Sequence, residues 1–353
     1  MREQIATIRL SRSSGIGPVT FRHLVSKFGS AYKALENIPS ITKGKKINVP
    51  SLDYAEKLIE KADKKGIKIA YFFDSVYPRS LKNICDSPAL LFYKGNAALF
   101  NKKSIAIIGS RNSSFQGVAF AEKISYELAM ADFAVISGMA KGIDTAAHKG
   151  SLKKGTIAVL AGGVDVIYPL ENRALYEQIA NGGLVISEAD ISKDPRPEAF
   201  TYRNRIISGI SLGVLIVEAA FKSGTLITAR YAADQGKDIF AVPGHPYDTR
   251  AAGANYLIKN GAFLTEKSSD VINHYSENDS FNLFDEEYQV EPDKDDSYEN
   301  AKAYLMDVLS KTPVNINQII RNNDFSVSAM QGAIAELDLM EKIILEQGKI
   351  SKA

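Results

Sequence analysis

The chain has 353 residues, of which 45% are hydrophobic and 24% are charged, and its formal net charge is +2. This composition is typical of a soluble globular protein, and the length predicts two or three domains. No apolar run approaches the ~20 residues that a membrane-spanning helix requires, so no contact with a membrane is expected. Cys85 is the only cysteine, which excludes an intramolecular disulfide and favours a reducing, cytoplasmic location.

Residues 1–65 show helical periodicity and predict a small helical domain. Before its first clear helix, the segment Gly15-Ile16-Gly17-Pro18 resembles the hairpin of helix-hairpin-helix or SAM-like modules, in which backbone N–H groups meet a DNA phosphate. A plain turn between two helices explains so short a motif equally well, so both interpretations stay open.

Residues 66–275 alternate apolar, strand-like runs with helical patterns, which predicts an α/β fold with an extended Rossmann-like parallel sheet. The piece 66–96 adds two further strand-like runs to this sheet. Each main run ends in small residues, and in open α/β sheets the ligand lies beyond the carboxyl ends of the strands. The sequence therefore predicts an anion-binding edge, formed by the runs at 104–111, 133–138, 156–163 and 212–225.

Residues 276–297 are predicted to be an acidic linker. Residues 276–299 hold ten acids and one base, so the rest of the chain carries 42 basic and 31 acidic residues. A basic body of this kind attracts a polyanion, but a solvated acidic linker beside a mildly basic protein accounts for the same charges. The linker is also a candidate competitor of such a polyanion for the basic face.

Residues 298–353 follow the order helix, helix, hairpin, which predicts a winged-helix domain. Such modules often place their second helix in a DNA groove. Here that helix carries Gln331, Glu336 and Asp338 and no arginine, so contact with protein is an equally good expectation.

Enzyme and cofactor motifs are missing from the expected positions. The turn at Gly109 lacks the GxGxxG spacing, no GxxxxGK[ST] motif occurs, and the four histidines have no paired spacing. Asp144 and His148 lie four residues apart, which is compatible with an acid/base pair but also with a contact at a helix start. We expect no cofactor, no metal and no catalytic residue, since Ser137, Asp165 and Glu188 form no specific pattern either.

Cations and aromatic residues recur along the predicted carboxyl edge. Arginine forks match phosphate oxygens, and Phe200 or Tyr202 could stack on an unpaired base. Alternatively, Arg203 and Arg205 pair with acids such as Glu188 or Glu218, and the aromatic rings pack in the core. The edge cations are Arg111, Lys141, Arg203, Arg205 and Lys222.

Eight motifs in order make the chain resemble the DprA/Smf family of DNA-processing proteins, and they cover most of residues 66–275. They are IGSR (108–111), SGMAKGIDTAAH (137–148), TIAVLAGGVDVIYPLEN (156–172), ISE (186–188), FTYRNRIISGIS (200–211), SGTLITARYA (223–232), AVPG (241–244) and GANYLIKNGA (253–262).

The resemblance implies a cytoplasmic, non-catalytic protein that binds and protects incoming single-stranded DNA during natural transformation and loads RecA recombinase onto it. It also implies a homodimer through the Rossmann-like domain. Carried over residue by residue, the DNA-binding site comprises Gly109, Ser110, Arg111, Ser137, Gly138, Lys141, Gly142, Phe200, Arg203, Asn204, Arg205, Lys222, Ser223, Gly224 and Thr225.

The competing hypothesis is a nucleotide-processing enzyme of the phosphoribohydrolase type on a related Rossmann-like fold. That class needs an acidic catalytic residue near a Gly-Gly turn. Here Gly162-Gly163 is followed by Val164-Asp165 instead of a glycine-threonine-glutamate pattern, which argues against the enzyme.

Overall fold

The computed structural model describes residues 1–42, 47–277, 295–346 and 348–353. Residues 278–294 of the predicted acidic linker (276–297) lie outside the described residues. The chain divides into two compact units: unit 1 comprises Met1–Lys57, Cys85–Ala89 and Glu287–Ala353, and unit 2 comprises Leu58–Ile84 and Leu90–Glu286.

Helices and strands follow one another along the chain in both units. The helices are α1 Arg2–Ser11, α2 Pro18–Phe28, α3 Ala31–Ile41, α4 Leu52–Lys64, α5 Arg79–Lys82, α6 Phe115–Met130, α7 Ile143–Ser151, α8 Arg173–Gly182, α9 Pro197–Ile210, α10 Gly224–Asp234, α11 Ala252–Lys259, α12 Ser268–Glu277, α13 Asp295–Val308, α14 Ile316–Arg321 and α15 Val327–Leu339. The strands are β1 Lys68–Tyr71, β2 Leu90–Gly95, β3 Ser104–Ile108, β4 Ala134–Ser137, β5 Thr156–Val159, β6 Leu184–Ser187, β7 Gly213–Ile216, β8 Asp238–Ala241, β9 Phe263–Leu264, β10 Val314–Asn315, β11 Ile343–Glu346 and β12 Lys349–Lys352.

Unit 2 is built on one sheet, in which the described strands have the order β1-β2-β6-β5-β4-β3-β7-β8-β9. The seven strands β3 to β9 of this order are parallel to one another. Strands β1 and β2, which come from the piece 66–96, are added antiparallel next to β6. The chain moves outward from β3 through β4, β5 and β6, then returns to the other side of β3 as β7. The crevice of an open α/β sheet forms at such a reversal, beyond the carboxyl ends of β3 and β7.

The central strands are buried on both faces, which explains why they read as continuous apolar runs. Along β3, Ile105 and Ile107 pack with residues of α6, α7 and α12. Ala106 and Ile108 pack in the cluster on the opposite face, which includes residues of α9, α10 and α11. The helices thus cover both faces of the central strands.

In unit 1, α1, α2 and α3 share a small apolar core. Gly17 is the N-cap of α2 and Pro18 its first residue, where a missing N–H is tolerated. The carboxylate of Glu3 accepts hydrogen bonds from the backbone N–H of Ala31 at 2.6 Å and of Tyr32 at 3.2 Å, which caps the start of α3.

The C-terminal part of unit 1 has the order α13, β10, α14, α15, β11, β12, with the strands arranged β10-β12-β11. The winged-helix assignment stays a prediction. Helix α15 packs against α2, where a Cβ on Gly332 would lie 2.5 Å from the His23 ring. The carboxylate of Glu336 is buried there and accepts hydrogen bonds from Lys27 at 3.1 Å and Lys302 at 3.3 Å. This face of α15 therefore contacts the chain's own helices.

Candidate nucleic-acid interface

The turns after β3 and β4 interlock at the carboxyl edge of the sheet. Gly142 has a φ of +80°, and a Cβ at this position would overlap the carbonyl oxygen of Ser110. The backbone N–H of Ile143 donates to that same carbonyl at 3.3 Å. Because only glycine permits this approach, the turn that carries Arg111 is held against the turn that carries Lys141.

Arg111 is exposed at the end of the first turn, and its guanidinium carbon lies 5.5 Å from the centroid of the Phe200 ring on α9. Phe200 in turn contacts the ring of Tyr168, with a centroid distance of 5.3 Å. Tyr168 is half exposed and was absent from the predicted site. The structure thus brings an exposed cation and two aromatic rings together at the strand ends.

The turn after β4 is shaped by the buried carboxylate of Asp144. Its Oδ2 accepts hydrogen bonds from the backbone N–H of Gly138 at 3.2 Å and of Ala140 at 3.3 Å. Between them Met139 has a φ of +65°, and its carbonyl accepts a hydrogen bond from Asn172 at 2.9 Å. Asp144, in the first turn of α7, therefore stabilises the turn that precedes this helix.

Two predicted residues of this turn differ in accessibility. The Ser137 hydroxyl is buried and donates to the carbonyl of Ile107 at 2.7 Å, so it joins β4 to β3 instead of facing solvent. Lys141 is exposed, and its ammonium group lies 2.5 Å from the carboxylate of Glu171. The hydrogen bond from Lys141 lowers the pKa of Glu171. Since both side chains are exposed, this pair opens readily in water.

Arg203 lies behind the turn, not on the surface. Its guanidinium donates to the carbonyl of Gly138 at 3.0 Å and to that of Val159. Burial lowers the pKa of Arg203 to about 10, although the negative charge of Asp144 acts to raise it. The side chain therefore stays protonated at neutral pH. Direct contact of Arg203 with DNA stays a prediction, and its burial argues against it.

Arg205 is fully buried and forms an ion pair with Glu188. Its guanidinium carbon also lies 4.2 Å from the centroid of the Tyr202 ring. This arrangement is the structural alternative that the sequence left open for the second arginine of the cluster. A direct phosphate contact by Arg205 is thus disfavoured in the same way as one by Arg203, while Asn204 between them is partly exposed.

The segment after β7 lies on the other side of β3. Lys222 and Gly224 are exposed, Ser223 is the N-cap of α10, and Thr225 lies in its first turn. Exposed cations therefore flank the reversal point of the sheet on both sides: Arg111 and Lys141 on one side, Lys222 on the other.

Glu218 follows β7 and occupies the start of α6. Its carboxylate accepts hydrogen bonds from the backbone N–H and from the hydroxyl of Ser114, the N-cap of α6. In mononucleotide-binding sheets, this helix start holds a phosphate. The sequence suggested Glu218 as a partner for Arg203 or Arg205, not for Ser114. The signal available was its position, directly after a buried strand and therefore at the same edge as Ser114.

His148 is buried beneath this edge. The Thr156 hydroxyl donates to the carbonyl of Val135 at 3.1 Å, so the Nδ1–H of His148 is the donor in its 2.7 Å contact with that hydroxyl. Burial, together with the charge of Arg203, lowers the pKa of His148 to about 3. The imidazole is therefore neutral and structural, which does not support an acid/base pair with Asp144.

Within the described ranges, no group of three or more His, Cys, Asp or Glu side chains is arranged to hold a metal ion. No helix in the same ranges is both long enough and apolar enough to cross a membrane.

Two family models match the chain. The model described as DNA recombination-mediator protein A matches residues 68–276, more than half of the chain. The model described as DprA-like N-terminal HHH domain matches residues 1–60. The second match favours the helix-hairpin-helix interpretation of the Gly15-Ile16-Gly17 turn over a plain turn.

Curated relatives and solved structures agree with the family models. DNA processing protein DprA from Streptococcus pneumoniae is 44% identical over 201 residues, which are 56% of this chain and 71% of the relative. The crystal structure of the protein of that name from Streptococcus pneumoniae matches with a TM-score of 0.63 and 32% identity, covering 77% of this chain and 97% of the other. A structure of DNA processing protein A from Helicobacter pylori, described for its single-stranded DNA binding mode, matches with a TM-score of 0.56 and 28% identity. The match covers 60% of this chain and 96% of the other. The predicted fold class of the Rossmann-like core and N-terminal module is thereby confirmed.

Proposed function

The chain belongs to the DNA recombination-mediator protein A (DprA/Smf) family of DNA-processing proteins, and we propose that it binds single-stranded DNA along the carboxyl edge of its parallel sheet. The observation that carries this proposal is the exposed guanidinium of Arg111 beside the rings of Phe200 and Tyr168. A guanidinium binds a phosphate, and an aromatic ring stacks on any unpaired base. Their adjacency suits a ligand that presents both groups at every nucleotide.

The other predicted site residues take two different roles in this proposal. Lys141 and Lys222 are exposed and approach the DNA backbone, and the glycines of the interlocked turns let that backbone come close. Arg203 and Arg205 act as positioning residues, since one holds the turn after β4 and the other ties α9 to the segment after β6.

A nucleotide-processing enzyme fits this edge less well. A nucleotide phosphate at the start of α6 would have to displace the Glu218 carboxylate, which already accepts the hydrogen bonds of Ser114. We therefore propose a binding protein without a catalytic role. Incubation with nucleoside monophosphates tests this directly, and release of free base above that of a buffer control would contradict it.

Three finer parts of the proposal rest on the family alone: a homodimer through the Rossmann-like unit, loading of RecA recombinase onto the bound strand, and a cytoplasmic location. Analytical ultracentrifugation measures the first. The second requires faster RecA filament assembly on protein-coated single strands when the full chain is present.

A titration of labelled oligonucleotides at two salt concentrations tests DNA binding. We expect single strands to bind more tightly than duplexes and affinity to fall steeply with salt, because phosphate contacts release counterions. Arg111→Ala should weaken binding about tenfold and reduce the salt slope by about one. Lys123→Ala is the matched control. It removes a cation of α6 whose side chain is 75% exposed. If the two variants bind alike, the site assignment is wrong.

A further inference from the structure

We propose that the DNA strand continues across the reversal point of the sheet onto a second set of stacking rings: Phe115, Phe221 and Tyr247. This inference rests on the proposed function and extends its footprint beyond the predicted site residues. The three rings lie on the segments that follow β3, β7 and β8, at the same carboxyl edge as Arg111.

All three rings are largely exposed to solvent. Phe115 is 84% exposed, Phe221 is 56% exposed and Tyr247 is 92% exposed. Single exposed apolar residues are ordinary on a protein surface, but several large rings gathered at a ligand crevice mark an interaction surface. Because each ring already faces solvent, a ligand can stack on it without displacing protein atoms.

The segments that carry the rings are joined by hydrogen bonds. Ser114, which immediately precedes the first ring, is bound by Glu218 at the start of the next segment. The neighbouring Ala219 donates its backbone N–H to the carbonyl of Arg250 at 2.7 Å, which ties the segment after β7 to that after β8. The rings are therefore presented from one connected surface.

The charges around the rings suit a polyanion. The segments that carry the rings contain two acids: Glu218 is bonded at the α6 start, and Asp248 forms a two-pronged ion pair with Arg250, at 2.9 and 3.0 Å. Lys222 is exposed beside Phe221 in the chain. The charge of Asp248 is thus paired within the protein and the carboxylate of Glu218 is held at the α6 start, while the exposed Lys222 is available for a phosphate.

The rings are also partly oriented before any ligand binds. Phe221 contacts the Tyr256 ring edge-on at a centroid distance of 5.3 Å, and Tyr247 contacts the His245 ring at 5.6 Å.

Adjacent strands lie about 4.8 Å apart, so the path from the end of β5, near Tyr168, to the end of β8 is roughly 20 Å long. A strand of several nucleotides is needed to reach both ends.

The length of the path provides the test. Full-length variants Phe115→Ala, Phe221→Ala and Tyr247→Ala are titrated with an oligothymidine of about 16 nucleotides and with one of about 4, which bracket the footprints of other single-strand binders. We expect each variant to bind the long strand about tenfold more weakly and the short strand less than about twofold more weakly than the parent. Tyr126→Ala, which removes a ring that is 51% exposed late in α6, is the matched control.

A second readout follows from the absence of tryptophan in the sequence. Tyr247→Trp introduces a single fluorophore whose emission should be quenched by the long strand, whereas Tyr126→Trp should not respond. Arg111→Ala separates the two hypotheses. If it binds both strands like the parent, the proposed function fails. If it weakens both while the ring variants behave like Tyr126→Ala, the extended path alone is overturned.

Discussion

The carboxylate of Glu218 accepts two hydrogen bonds from Ser114, one from its backbone N–H at 2.9 Å and one from its hydroxyl at 2.5 Å. An acid at this position supplies from within the chain the negative charge that a helix start attracts. Glu218 thus occupies the place where a Rossmann-like sheet would hold a phosphate. The exposed cations lie further along the same edge, where a longer ligand can bind them.

Replacing this acid should destabilise unit 2. Glu218→Ala leaves the hydroxyl and the backbone N–H of Ser114 without their charged partner, which lowers the free energy of unfolding by about 1–3 kcal/mol. Urea denaturation followed by circular dichroism measures the loss. Glu177→Ala, at an exposed position of α8, serves as the control, and equal stability of the two variants would contradict the role of Glu218.

Arg203→Lys should affect folding before it affects binding. A lysine keeps the positive charge, but its shorter side chain cannot place an ammonium where Nη1 of Arg203 donates to both carbonyls, so we expect a loss of about 3 kcal/mol. Arg111→Ala should leave the unfolding midpoint unchanged, since that side chain is exposed. Unchanged stability of the Arg203→Lys protein with weakened DNA binding would instead place Arg203 in direct contact with the strand.

The pair Arg205–Glu188 should respond asymmetrically to mutation. The arginine side chain is fully buried, whereas the glutamate side chain is 20% exposed. Glu188→Leu therefore removes a carboxylate partner from a fully buried charge and should cost about 3–5 kcal/mol, while Arg205→Met leaves a carboxylate that water still reaches and should cost less. The double variant is expected to recover part of the loss. A double-mutant cycle of unfolding free energies decides, and equal single effects would contradict this order.

His148 makes stability depend on pH. Its pKa is lowered from 6.5 to about 3 by burial, so the unfolded chain binds a proton that the folded chain refuses as the pH falls below 6.5. Stability should therefore decline by up to about 1.4 kcal/mol per pH unit from this group. His148→Asn should flatten the profile between neutral pH and about pH 4, whereas the exposed-site variant His245→Gln should not. A slope unchanged by His148→Asn would show that the ring is accessible to protons.

Glu336 should stabilise unit 1 only above acidic pH. Burial acts to raise its pKa, but the His23 ring, whose Nε2 lies 3.7 Å from the carboxylate, and the charge of Lys27 outweigh this effect and the pKa is lowered. Lys302 and the Tyr298 hydroxyl also face the carboxylate. A lowered pKa in the folded state means that the stabilisation is complete above the unfolded value, near 4.5, and is lost as the pH falls through the folded one.

The corresponding variant is Glu336→Gln. At neutral pH it should be about 1–3 kcal/mol less stable than the parent, because Lys27 and Lys302 lose their common anion. The difference should shrink as the pH is lowered below 4.5. Glu346→Gln, at an exposed position of β11, controls for the loss of one charge. A difference that persists at low pH would exclude an electrostatic origin.

Much of the sheet could be predicted because buried parallel strands leave a strong local signal. A run such as Ser104–Ile108 is apolar without alternation, and the small residues that follow it mark the strand end. The exposed Arg111 was found in the same way, since it follows such a run directly. Tyr168 was not found, because its loop has no comparable pattern and its contact with Phe200 joins residues far apart in the chain.

The sequence by itself determined that this protein has an α/β core of the DprA/Smf family with cations at the carboxyl edge of its sheet. Both properties are encoded locally, in the order of apolar runs and in the residues that end them. Only the tertiary structure decided which cations face solvent, because Arg111 and Arg203 look alike in sequence. The difference between them depends on carbonyl groups and carboxylates that folding brings from distant segments. These partners bury Arg203, whereas Arg111 stays exposed at the surface where we propose that DNA binds.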